Sequence, residues 1–175
     1  VMNGEIVGSN LATNWGSIGF FGPLTVTPQL WNHGVGFRLL ENTVALFTNW
    51  QTAHAGLFTF PHSPKHVGLY QRFGFWPRYL TAIMALPVTT PKIPSDNLAY
   101  SEIPKDTRES IRSACRELTD TLYSGLDVQR EILAVDLQQL GDTVLVWDHD
   151  RLDAFAVCHC GAGTEAGAGT CYVKF

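Results

Sequence analysis

Along residues 34–50 (GVGFRLLENTVALFTNW) the apolar positions Phe37, Leu40, Val44 and Phe47 recur at spacings of three and four, the period of a helix that buries one face. Upstream the pattern changes. Residues 4–11 (GEIVGSNL) and 18–27 (IGFFGPLTVT) are short runs rich in Ile, Val and Phe, broken by Gly and Asn, and Pro28 closes the second; these read as strands. Residues 56–60 (GLFTF) predict a short apolar strand. A second helix is predicted from Pro64, with Ser63 as cap, proline at the first helical position and Gly74 as stop. On it Val67, Tyr70 and Gly74 fall near one face. A further strand is expected within 76–88 (WPRYLTAIMALPV), so residues 1–88 read β-β-α-β-α-β, the alternation of an α/β fold.

Residues 87–104 hold four prolines (Pro87, Pro91, Pro94 and Pro104), and 89–104 read as a linker or an extended crossing segment. From Asp106 a helix is expected, capped by Asp106 with Glu109 three residues on; its apolar face is Ile111, Cys115, Leu118 and Leu122, and Gly125 stops it. A second helix over 127–140 ends at Gly141. Strands at 143–147 and 152–160 flank the turn Asp148-His149-Asp150, and a glycine-rich loop (161–169) leads into a last strand. Residues 105–175 therefore read α-α-β-β-β. The stretches 1–12 and 146–157 share an apolar start, a polar turn and an alternating strand, which suggests pieces of two related domains.

Composition narrows the function classes. With 175 residues and 45% hydrophobic content the chain can bury a sizeable core. Its net charge of -4, without any run of basic residues, argues against nucleic acid, whose phosphates need clustered Lys and Arg. No apolar run approaches the ~20 residues of a membrane span, so a cytoplasmic protein with no membrane partner is expected. The cysteines are Cys115, Cys158, Cys160 and Cys171. In a strand Cys158 and Cys160 face one side and His159 the other; the spacing fits no zinc template, and the expectation is buried free thiols with no metal. The chain opens on Val1 and closes on Phe175 inside the apolar CYVKF, which reads as a fragment of a longer polypeptide.

The stretch with most chemical content is GPLTVTPQLWNHGVGFRLL (22–40): a strand, a Gly-x-Gly turn, then the amphipathic helix. The N–H groups of Asn32, His33, Gly34, Val35 and Gly36 at such a helix start make an anion site, and the helix dipole adds positive potential. Glycine there lets a phosphate approach the backbone. Together with Leu69-Tyr70-Gln71-Arg72-Phe73-Gly74-Phe75, this loop resembles the GNAT superfamily of acyl-CoA-dependent N-acetyltransferases. That family carries a Gln/Arg-x-x-Gly-x-Gly/Ala loop after its fourth strand and Leu-Tyr-x-x-x-Gly-Phe on its fourth helix. The second motif is complete here. The loop departs at its first position, where Trp31 stands in place of a polar residue.

The resemblance implies a mixed, largely antiparallel α/β sheet flanked by helices. Residues 1–88 would be the later part of one such domain, and 105–175 the start of a second that stops before any CoA loop. The two halves would complement each other, within one molecule or by strand exchange in a homodimer. The resemblance also implies that acetyl-CoA is the cosubstrate and a primary amine the acceptor. Backbone groups of Leu24, Thr25 and Val26 would hold the pantetheine arm, and the loop at 32–36 the pyrophosphate. Lys65, His66 and Arg72 would lie near the CoA phosphates, and Tyr70 would protonate the leaving thiolate. The general base is not singled out: residues 18–27 contain no carboxylate, and His33, His62, Glu41 or a water all remain in play. The alternative function is a non-catalytic acyl-CoA-binding or regulatory module of the same superfamily.

Overall fold

The structure is a computed structural model that describes residues 1–2, 4–89 and 97–175. The chain forms two units, Val1–Met84 and Ala85–Phe175, each mixed α/β with antiparallel strand pairs and flanking helices.

In the first unit β1 (Gly8–Trp15) and β2 (Ile18–Val26) form an antiparallel hairpin. Gly16, at φ 69, turns the hairpin, and its N–H donates to Asn14 Oδ1 at 2.8 Å. The strand expected at 4–11 therefore lies later in the chain. Its apparent apolar anchors Ile6 and Leu11 are exposed, whereas polar Asn10 points at the helix and donates to Thr43 Oγ1 at 2.7 Å. Register with β2 overrode the local apolar pattern. The third strand, β3 (His54–Gly56), pairs parallel with Ile18–Phe20. It precedes most of the apolar run at 56–60, because Phe58 and Phe60 stay exposed.

The first helix, α1 (Val35–Asn49), forms where its 3.6-residue pattern predicts and buries Leu40, Thr43 and Phe47. Phe21, Leu40 and Phe47 make the core of this unit, each apolar side chain contributing about 1.5–3 kcal/mol on burial. The helix lies flush on β2: a Cβ on Gly19 would come within 2.6 Å of the Phe47 ring.

The second helix, α2 (Pro64–Gln71), starts at Ser63-Pro64 as expected, although the Ser63 hydroxyl bonds His66 Nδ1 at 2.8 Å instead of capping a backbone N–H. No strand forms over 76–88. Those residues carry no regular secondary structure, and Trp76, Tyr79, Leu80, Ile83 and Met84 are exposed.

The second unit is a four-stranded sheet in the order β4-β5-β6-β7, antiparallel throughout. Its strands are β4 (Asn97–Ala99), β5 (Gly141–Asp148), β6 (Arg151–Gly161) and β7 (Gly167–Val173). Helices α3 (Arg108–Leu122) and α4 (Gln129–Leu137) pack on β5 and β6. The linker reading fails for 97–104, which carry β4 and a short 3-10 turn. Tyr100 is fully buried there, and Arg108 clamps the segment by donating to the Ser101 and Ile103 carbonyls while pairing with Asp136 at 2.8 Å. The prolines Pro91 and Pro94 lie outside the described residues. Thr107, rather than Asp106, occupies the N-cap of α3, and it makes no side-chain cap. Residues 171–175 are covered by pairing: Cys171–Val173 join β6, and Lys174 N–H donates to the Val157 carbonyl at 2.9 Å. Of the cysteines expected to be buried, Cys115 and Cys158 are, but Cys160 and Cys171 are exposed.

Candidate functional site

Strand β2 is paired on one side along its length but on the other only through Ile18–Phe20, where β3 ends. Among the described residues no strand pairs with its outer edge from Phe21 onward, which leaves a fork beyond the end of β3. Register decides which groups face the fork. Thr27 N–H donates to the Val7 carbonyl at 2.9 Å. In an antiparallel ladder bonded and non-bonded pairs alternate, so Thr25 turns its backbone groups to Ser9 on β1, while Leu24 and Val26 turn theirs outward. Of the three positions expected to hold an extended ligand arm, Leu24 and Val26 offer free-edge geometry and Thr25 does not. The Val26 carbonyl is already engaged: the Trp31 indole donates to it at 2.8 Å.

The start of α1 flanks this edge. Gly34, the N-cap, has φ 78 and ψ 2, a left-handed conformation that strains any residue with a Cβ. Asn32 before it is also left-handed, at φ 65. No side chain caps the helix and no acidic residue sits in its first turn, so the N–H groups of its first turn lack internal acceptors and face outward with the positive end of the dipole. His33 differs from expectation: its N–H closes a turn onto the Leu30 carbonyl at 3.4 Å, and its ring Nδ1 lies 2.8 Å from the Trp31 carbonyl. Gly36 lies where a Cβ would sit 3.6–3.8 Å from Leu69, Leu24 and Val26, so loop, β2 and α2 converge there. Lys65 Nζ lies 5.1 Å from the centre of the Trp31 ring, which brings one cation to the loop. His66 is exposed and held by Ser63; Arg72 is exposed at the end of α2.

The Leu-Tyr-x-x-x-Gly-Phe stretch has a local physical reason. Gly74, at φ 83, ends α2 with its N–H donating to the Gln71 carbonyl at 3.0 Å, and Phe75 N–H reaches back to the Tyr70 carbonyl at 3.2 Å. This is the Schellman arrangement, which requires a left-handed residue four positions after Tyr70 and an apolar residue next. Its effect is to set Tyr70 and Phe75 edge-on against one ring, Phe21, at 5.7 and 5.3 Å between centroids. Phe21 is the first β2 residue beyond the β3 pairing, so the motif carries Tyr70 to the mouth of the fork. Sequence reasoning missed Phe21; the signal available was its place as the last of the apolar Ile18–Phe21 run. Burial pushes the Tyr70 phenol above its ordinary value, which keeps it protonated near neutral pH. Glu41 and His62 are exposed. A shallow, open depression of about 280 Å³, lined by Ile6–Ser9 and Thr25–Thr27, lies beside the end of β2. Among the described residues no group of three His, Cys, Asp or Glu could hold a metal ion, and no helix is long and apolar enough to cross a membrane.

Residues 1–75 match the sequence model of the Acetyltransferase (GNAT) family. A candidate acetyltransferase from Pyrococcus horikoshii superposes with a TM-score of 0.57 at 14% identity, over 89% of this chain and 49% of its own. That likeness is one of fold alone. A Trypanosoma brucei acetyltransferase is similar over 49% of this chain and 63% of its own, at 18% identity and a TM-score of 0.44. A Mycobacterium tuberculosis protein solved with CoA is similar over 84% and 71%, at 19% identity and a TM-score of 0.38. This chain thus spans about half to two thirds of the length of the first two. No curated protein sequence matches it.

Proposed function

We propose that the protein transfers an acetyl group from acetyl-CoA to a primary amine in the cytoplasm. The observation that carries this reading is the juxtaposition at one strand end: an open β2 edge at Leu24 and Val26 beside a helix start with no cap and no first-turn acid. An extended amide-bearing arm pairs with the first, and a pyrophosphate suits the second. The family match over residues 1–75 supports CoA as the carrier. In the reaction the amine lone pair attacks the thioester carbonyl carbon and the C–S bond breaks. The Tyr70 phenol, kept protonated by burial, gives its proton to the departing thiolate. The proton lost by the amine leaves to water or to a base.

A second reading has its own support. The Trp31 indole occupies the Val26 carbonyl, and β2 carries no carboxylate, features that suit a module that binds acyl-CoA without turnover. Calorimetry with CoA, run beside thiol release from acetyl-CoA over a panel of amines, separates the two. Binding with thiol release supports the transferase. Binding without release on any amine supports the module, and absence of binding removes both.

A further inference from the structure

The C-terminal sheet carries three of the four cysteines on one face of β6 and β7. Cys160 and Cys171 are direct register partners, and both are exposed. The type of pair follows from the neighbouring strand. Cys160 N–H donates to the Leu140 carbonyl at 2.8 Å, on the β5 side. A strand residue points both backbone groups the same way, so toward β7 Cys160 and Cys171 form a non-hydrogen-bonded pair. Such pairs bring Cα atoms to about 4.5 Å, inside the roughly 4.4–6.8 Å range a disulfide spans. The register breaks immediately after this pair, with Gly161 facing Gly167. Cys158, two residues back on the same face, is buried.

We propose that Cys160 and Cys171 form a reversible oxidation site that closes a cross-strand disulfide when the protein meets hydrogen peroxide. Cys171 thiolate attacks one peroxide oxygen and breaks the O–O bond, giving a sulfenic acid and, with one proton, water. Cys160 sulfur then attacks the Cys171 sulfur, the S–S bond forms, and the hydroxyl leaves with a proton as a second water. Two thiols lose two electrons and two protons, and the peroxide becomes two waters. Burial and the facing Cys171 sulfur both push the Cys160 thiol above its ordinary value, which lowers its thiolate fraction and so its share in the first attack on peroxide. A dithiol reverses the bond by exchange and is itself oxidised to its disulfide. An exposed cross-strand bond of this kind is the labile class, not the structural one. Closed, it staples the edge strand β7 to β6.

The test is thiol counting and linkage mapping on the full chain. The folded protein is treated with hydrogen peroxide, quenched, unfolded and alkylated, then weighed intact. Labels should fall from four, one for each cysteine, to two, and return to four after dithiothreitol. Cleavage after Glu165 separates Cys160 from Cys171, so the bond should appear as two peptides joined through those residues. Cys160→Ser, at an exposed position, should keep the fold by circular dichroism, form no disulfide, and leave a sulfenic acid on Cys171 that dimedone traps. Four labels after peroxide, linkage through Cys158 or Cys115, a bond between two molecules, or an undiminished bond in Cys160→Ser would each overturn the proposal.

Discussion

The long strands of the two sheets, β2 and β6, differ in what their edges do. Strand β6 has a partner on each side, β5 over Arg151–His159 and β7 over Cys158–Gly161. Strand β2 has β1 along one side and only a three-residue partner on the other. The helix starts differ in the same sense. Glu109 lies in the first turn of α3 and Glu131 in that of α4, where Asp127 also accepts the Gln129 N–H at 2.9 Å; α1 has glycine at its cap and no acid. One unit answers its own backbone dipoles with its own side chains. The other leaves them unanswered, and that is where a ligand of opposite polarity can bind. Arg108 shows the contrast from the closed side: its guanidinium meets two backbone carbonyls and one carboxylate.

The largest effect should come from breaking the closed side. Arg108→Ala strands the Asp136 carboxylate, only 19% exposed, and frees two carbonyls; the expected cost is about 3–5 kcal/mol, read by urea denaturation. A loss under about 1 kcal/mol would mean that water serves those acceptors as well as the guanidinium does.

On the open side, Tyr70→Phe keeps the ring against Phe21 and removes only the hydroxyl. With acetyl-CoA saturating, kcat should drop on the order of 100-fold or more, while stability shifts by less than about 1 kcal/mol. An unchanged kcat would make Tyr70 a packing residue of the fork.

Gly34 tests the helix start. A Cβ at that position meets nothing within 4 Å, so strain at φ 78, not crowding inside the free protein, is the first consequence of a side chain. Gly34→Ala and Gly34→Val should each weaken CoA binding by about tenfold, in line with roughly 1–3 kcal/mol of backbone strain, and Val should lose more if a phosphate sits against the loop. Calorimetry that finds both variants equal to wild type would remove the anion site.

The smallest effect carries the opposite sign. Trp31→Phe keeps an aromatic ring for Lys65 but deletes the donor to the Val26 carbonyl. Freeing that acceptor should raise CoA affinity by up to about tenfold, the worth of one net hydrogen bond. Equal or weaker binding would show that the ligand does not use this carbonyl.

The sequence by itself determined the elements whose cause is local. The period in 34–50 and the Ser-Pro and Gly signals around 64–74 are short-range matters of side-chain spacing and φ, and α1 and α2 lie where they predict. The same holds for the β5–β6 hairpin and for the two glycine motifs that point to the superfamily. Tertiary structure decided whatever depended on a partner distant in the chain. Strand β1 took Gly8–Trp15 because its backbone pairs with β2 there and the Asn10 amide N–H reaches Thr43. Tyr100 left a proline-rich stretch for the core because β5 and Arg108 received it. Residues 76–88 kept a strand-like composition but formed no strand. Cys160 became exposed and Cys171 its neighbour through the β6–β7 register alone. The candidate site divides along the same line: Gly34, Gly36 and Tyr70 were legible as motifs. The open edge at Leu24 and Val26, the Trp31 indole on Val26 and the Phe21 ring under Tyr70 were not, since strand pairing and ring contact join residues that no local pattern connects.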